Sequence, residues 1–307
     1  MTDADSVGAP IGIIVPTLFS GRVEDYSAFD QRVIQTALAW QVRGEQATFQ
    51  EMRAISLRVQ PNRAYVLYGR IASAGEQLGL AGAAYRDACA WLSSVHSDNE
   101  VRPPARALAE IASYYALAAA HGLVNVTARL LAFDNRSRAV LTQRFKASKG
   151  FPPFDEKTDH WLAFNAGSVT GLEQAVDHHR DEVREIVGLL RTLVEDDRWT
   201  RLVERRNTDF HRWRPQSVAG GVEPASPWIE AEADGERFSV LTVYQGETLQ
   251  PDDHRLLIAE AGRALDALEA AMRAWNELFD SAEERVTTFV LAEAMSGVQF
   301  YRDREPR

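Results

Sequence analysis

The chain has 307 residues, 45% of them hydrophobic, which is enough for a sizeable core in one large domain or two. Its formal net charge is −10 and its pI is near 5.3, which excludes a protein coated in basic surface that binds nucleic acid indiscriminately; any RNA contact has to be local. A single cysteine, Cys89, excludes both an intramolecular disulfide and a cysteine zinc cluster.

Residues 1–10 read as a loose tail and 11–18 as a short strand or extended segment. The apolar run Ile11 to Phe19 contains Pro16 and is too short to cross a bilayer, so the expected compartment is the cytoplasm. Asp25 or Ser27 can cap a helix running to about Val42, and further helices are expected at roughly 45–58, 62–78 and 80–95. Cys89, among apolar neighbours, reads as a small buried hydrophobe rather than a nucleophile. His96 reads as a terminal-turn or loop residue. Ser97 to Pro104 combines polar residues with a double proline and marks a break. It is either a boundary, between an N-terminal helical region (1–102) and a second region (103–307), or a long loop inside one domain.

An alanine-rich helix is expected from Ala105 to about Phe133, with Leu108, Ile111, Tyr115, Ala118 and Gly122 along its apolar side. His121, Asn125 and Arg129 fall on one line beside that face. They are the solvent edge of a core helix, a hydrogen-bonded core histidine with its neighbours, or groups projecting into a cleft. Glu110, His121, Asn125 and Arg129 argue against a membrane span here. Arg136, Arg138, Arg144, Lys146 and Lys149 form a basic run whose plainest reading is a solvated surface. Residues 146–158 read as a loop, 158–165 as a short helix, and about Gly171 to Val194 as a helix with Val176, Val183, Ile186, Val187, Leu190 and Leu193 facing inward. His178 and His179, flanked by Asp177, Asp181, Glu182 and Glu185, lack the Glu-x-x-His spacing of a helix-bundle metal site, so neither metal nor cofactor is expected.

The run from Arg198 to Arg214 carries Arg198, Arg201, Arg205, Arg206, Arg212 and Arg214 against Glu204 and Asp209. It reads as one helix, capped by Asp196 or Asp197 and ended near Arg214 by Pro215. Arginine offers a permanent cation with a planar donor fork for phosphate oxygens, and histidine exchanges protons near neutral pH. Asn207 and His211 lie about 40° apart on this helix, but Arg206 and His211 about 140° apart. A second copy packed against the first would bring the groups of both into one cleft. A helix end favours protonated His211 and the neighbouring arginines oppose it, so the sign of its pKa shift stays open. In the plainer alternative, Arg206 and His211 decorate a solvated face, paired with Glu204 and Asp209.

Beyond Pro215, Trp228 to Ala233 and Arg237 to Tyr244 alternate apolar and polar residues around Asp234-Gly235, a hairpin near 228–244 inserted between helices. A helix is expected from Asp252 or Asp253 to about Phe279, with Leu257, Ala261, Leu265, Leu268, Met272, Trp275 and Phe279 as its apolar stripe. A capping box at Ser281 and Glu284 is expected to start a last helix to about Val298.

Arg206, Asn207 and His211 match a known pattern: an arginine, a polar residue, three further residues and a histidine. In this the chain resembles the HEPN superfamily of all-helical domains, over the motif helix and, loosely, the region from about Ala105 onward. The resemblance implies a mainly α fold, a HEPN-like helical bundle in residues 103–307, and a metal-independent endoribonuclease acting on RNA as a homodimer through the motif helix. It implies His211 in general acid/base catalysis, Arg206 on the scissile phosphate and Asn207 positioning either one. Arg201, Arg205, Arg212 and Arg214 are then the residues expected to bind RNA. Many such enzymes are toxins or antiviral effectors, so an antitoxin or regulatory protein is an expected partner and a membrane is not. The alternative of a different class is a non-catalytic RNA-binding or protein-interaction module, and a further one is a plain helical scaffold.

Overall fold

The computed structural model describes residues 26–46, 61–94, 98–146, 161–177, 182–211, 228–233, 236–241 and 254–302, and these are mainly helical. In chain order they form α1 (Ala28–Gln46), α2 (Pro61–Leu92), α3 (Asp98–Leu131), α4 (Asn135–Arg144), α5 (Ala166–Ala175), α6 (Glu182–Glu195), α7 (Asp197–His211), β1 (Trp228–Ala233), β2 (Glu236–Leu241) and α8 (His254–Arg302). The mainly α bundle expected from the sequence is the observed fold, and the hairpin pairs antiparallel from Trp228 with Leu241 to Ala233 with Glu236.

Helix starts follow local capping chemistry. The Ser27 hydroxyl accepts from the Asp30 amide at 3.1 Å, and the Asp30 carboxylate accepts from the Ser27 amide at 3.2 Å, a reciprocal box that opens α1. Asp196 accepts from the Arg198 amide at 2.8 Å and opens α7. Asp134 does the same for α4 through the amides of Arg136 and Ser137.

Helix α8 is the spine of the bundle, packed against α1, α2, α3, α6 and α7. Its expected stripe from Leu257 to Phe279 is buried, as are the inward positions expected in α6. At the centre Trp40 of α1 lies with ring centroids 4.5 Å from Trp275, which stacks on Phe279 at 4.9 Å. The indole N–H of Trp40 donates to the Met272 carbonyl at 2.9 Å, and that of Trp275 to the Thr127 hydroxyl at 3.0 Å. Each ring thereby buries a large apolar area without leaving its polar atom unsatisfied.

Several expected boundaries move, each for a packing reason. α2 is one helix rather than two, and its Gly75 and Gly82 serve close approach of α1 rather than chain reversal. A Cβ at Gly75 would sit 2.7 Å from the Ala37 carbonyl oxygen and the Trp40 Cβ, so α1 lies directly on this position. α3 begins at Asp98 and passes through Pro103 and Pro104 instead of starting at Ala105. Its first turns are held by burial of Val101, Ala105 and Ala109 against Ala88, Leu257 and Ile258. Its buried face is lined by alanines such as Ala112, Ala116 and Ala120, while Ile111, expected inside, is 43% exposed. The point where the sequence suggested dividing the chain lies within α3, and residues from both sides of it, such as Trp40, Ile71, Ile186 and Met272, share one hydrophobic cluster.

The helix expected over 171–194 is two helices, α5 and α6. Arg184 donates to the carbonyls of Val176 and Asp177 at the end of α5, satisfying groups that a continuous helix would have used itself. The break expected at Ser281 does not occur. Phe279 and Ala282 continue the buried face across it, and Arg43 of α1 binds Asn276 and Asp280, each at 2.6 Å, one helical turn apart. The expected strand at 11–18, most of the helix at 45–58, the loop at 146–158 beyond Lys146, His96, His178, His179 and the hairpin tip lie outside the described residues.

Candidate functional site

Residues 161–165, expected within a short helix, are not helical. Their backbone is held by side chains of α3 instead of by a helical ladder. Asn125, fully buried, donates to the Leu162 carbonyl at 2.8 Å and accepts from the Leu162 amide at 2.9 Å. One turn earlier, His121 Nδ1 accepts from the Phe164 amide at 2.8 Å. A carboxamide and an imidazole thus imitate the edge of a β-ladder, and the amide and carbonyl of Leu162 and the amide of Phe164 are satisfied without a neighbouring strand.

That bonding places three more groups. Trp161 sits edge-on to His121, ring centroids 6.3 Å apart and planes at 82°. The Arg70 guanidinium of α2 lies over the Trp161 ring, 5.1 Å from its centroid. On the other side Phe164 meets Trp199 of α7 edge-to-face at 5.5 Å. Trp199 and Leu202 form the buried face of α7, and Arg206 continues that line one turn beyond Leu202, where the helix emerges and the residue is exposed.

His121 feels this arrangement. Burial pushes its pKa below the ordinary histidine value, and the charge of Arg206 pushes it further the same way. With Nδ1 accepting from an amide, the neutral ring carries its proton on Nε2 and offers a donor there. Of the readings open for the His121, Asn125 and Arg129 line, the hydrogen-bonded histidine is the one observed, with its ring half-buried. Arg129, 2% exposed, is an interior residue.

The other expected site residues separate into three groups. Arg201 is exposed. Arg205 is engaged within the bundle, its Nε 2.5 Å from Glu260 of α8, because the docking of α7 turns this side of the helix toward α8. Arg198, counted in the same basic run, bridges Asp196 at 2.7 Å and Asp266 at 3.0 Å, and Arg32 joins Asp266 from α1. The basic run is therefore partly a set of internal ion pairs. Asn207 and His211 belong to α7 by their backbone; their side chains, and Arg212 and Arg214 entirely, lie outside the described residues.

Arg70 and Trp161 went unnoticed in the sequence, and no local signal could have raised them. They meet only because His121 and Asn125 fix a segment some 40 residues away, at separations of 43 and 37. Cys89 is half-buried against Tyr85, and burial raises its thiol pKa, which suits a packing role rather than a nucleophile. Comparison of the chain with protein-family models, with curated proteins and with solved structures returned no match.

Proposed function

We propose that this chain is a metal-independent endoribonuclease of the HEPN type, acting as a homodimer through α7. The observation that carries the reading is Arg206: a permanent cation exposed where α7 leaves the core, close enough to His121 to act on its charge, on the same helix as Asn207 and His211. The mainly helical bundle around it agrees with what the resemblance implies.

In the proposed reaction His211 takes the proton from a ribose 2′-hydroxyl, whose oxygen attacks the adjacent phosphorus. The bond to the 5′ oxygen breaks, that oxygen receives a proton from a second histidine, and the products are a 2′,3′-cyclic phosphate and a 5′-hydroxyl. Arg206 binds the phosphate oxygens as charge builds on them. Asn207 holds the phosphate or the histidine by hydrogen bonding. The angular separation of Arg206 and His211 on one helix supports a cleft shared by two copies, each supplying what the other lacks.

The test is cleavage of a mixed RNA pool, with EDTA present, by wild type, Arg206→Ala and His211→Ala proteins purified in parallel. The reading expects cyclic-phosphate ends from the wild type and loss of cleavage in both variants. Equal activity in all three proteins would mark a contaminant and overturn it. Binding without cleavage in all three would move the assignment to a non-catalytic RNA-binding module.

A further inference from the structure

We infer that Trp161, with Arg70 over its ring and His121 at its edge, is a docking point for single-stranded RNA, on which one base stacks. The inference rests on the reading of this chain as an RNA-directed protein and adds a recognition site outside the Arg206-Asn207-His211 motif.

Trp161 stands apart from the other well-packed indoles. Trp40, Trp199 and Trp275 are fully buried, whereas Trp161 is 44% exposed. An open indole is usually mobile, but this one is pre-positioned. Its backbone is tied down immediately afterwards by the two Asn125 bonds to Leu162 and by the His121 bond to Phe164. Its ring is steadied by Arg70 at 5.1 Å and by the edge of His121.

The surrounding chemistry matches a nucleotide better than an apolar peptide. The planar guanidinium of Arg70 and the indole offer stacking surfaces that accept any base. His121, half-buried at the edge of this ring, carries its proton on Nε2 when neutral, and Arg206 is near enough to act on its charge. A stacking surface, a neutral donor and a cation are the groups that suit a base, a sugar and a phosphate. In a chain of net charge −10, local contact of this kind is what RNA binding requires.

The test uses the full chain and a fluorescent 2′-O-methyl oligoadenylate, which cannot be cleaved by 2′-hydroxyl attack, alongside an abasic oligomer of the same length. Trp161→Ala is expected to weaken oligoadenylate binding by about tenfold, and Trp161→Phe to restore most of it. The wild type should bind the abasic oligomer more weakly than oligoadenylate, a comparison that needs no variant. Equal binding of the two oligomers by the wild type, no binding at all, or unchanged binding by a folded Trp161→Ala protein would each overturn the inference. Displacement of the oligomer by micromolar AMP would also overturn it, since the site would then belong to a free nucleotide. RNA cleavage with Trp161-independent binding leaves the ribonuclease reading standing and removes this one. Trp161-dependent binding in a chain that cleaves nothing does the reverse.

Discussion

The amide of Phe164 donates to Nδ1 of His121 at 2.8 Å, so a backbone group of the 161–165 segment depends on an unprotonated imidazole of α3. Burial and Arg206 both hold the His121 pKa below its ordinary value of 6.5. The unfolded chain therefore binds this proton more readily than the folded one, and stability present above pH 6.5 falls as pH drops through the lower, folded pKa. Thermal melts of the wild type between about pH 7 and pH 5 should show this loss, and His121→Asn, which keeps an acceptor but does not titrate, should flatten it. Identical slopes in the two proteins would count against the assignment.

Asn125 makes two complementary bonds to Leu162 in a fully buried position. Asn125→Ala leaves an amide and a carbonyl unsatisfied together, and the expected loss is about 2–5 kcal/mol by urea unfolding. Asn125→Asp keeps the acceptor, loses the donor and brings a buried carboxylate, so it should be destabilising as well. If either variant unfolds with the wild-type midpoint, the segment is not held in this way.

Two helix-interior glycines should respond to alanine in opposite directions. At Gly75 the new methyl group meets the Ala37 carbonyl oxygen and the Trp40 Cβ at 2.7 Å, so α1 and α2 have to separate. Nothing lies within 4 Å of a Cβ at Gly188 in α6. Gly188→Ala is therefore expected to stabilise by about 0.5–1 kcal/mol, the intrinsic helix preference. Gly75→Ala should destabilise by about 1–3 kcal/mol despite the same preference. Parallel denaturation curves with equal shifts would show that α1 does not press on α2 at this point.

Arg205 and Arg206 are neighbours with different assignments. Arg205→Ala removes the partner of the largely buried Glu260 and should lower stability by about 1 kcal/mol, with a similar coupling energy in a cycle with Glu260→Ala. Arg206→Ala should abolish RNA cleavage, whereas a folded Arg205→Ala protein should retain it. Loss of cleavage in folded Arg205→Ala with retention in Arg206→Ala would reverse these assignments.

The local part of this fold was readable in the residues. Ser27 and Asp196 cap the helices they were expected to cap, and the stripes of α6 and α8 are buried where their periodicity placed them. These features depend on neighbours within about one helical turn. The presence of Arg206, Asn207 and His211 on one helix was readable for the same reason. What residues could not reveal were outcomes of packing over long separations. Prolines 103 and 104 sit inside α3 because Ala88, Leu257 and Ile258 bury its first turns. Ser281 fails to start a new helix because Phe279 and Ala282 keep the same face against the core. Arg205 becomes a structural ion pair only once α7 has docked on α8, and 161–165 stays out of a helix where His121 and Asn125 bind the backbone of Leu162 and Phe164. Local preference differs by a few tenths to about 1 kcal/mol per residue. A buried and satisfied tertiary contact outweighs that, so periodicity determined which segments are helical while packing decided where they end and which charges remain at the surface.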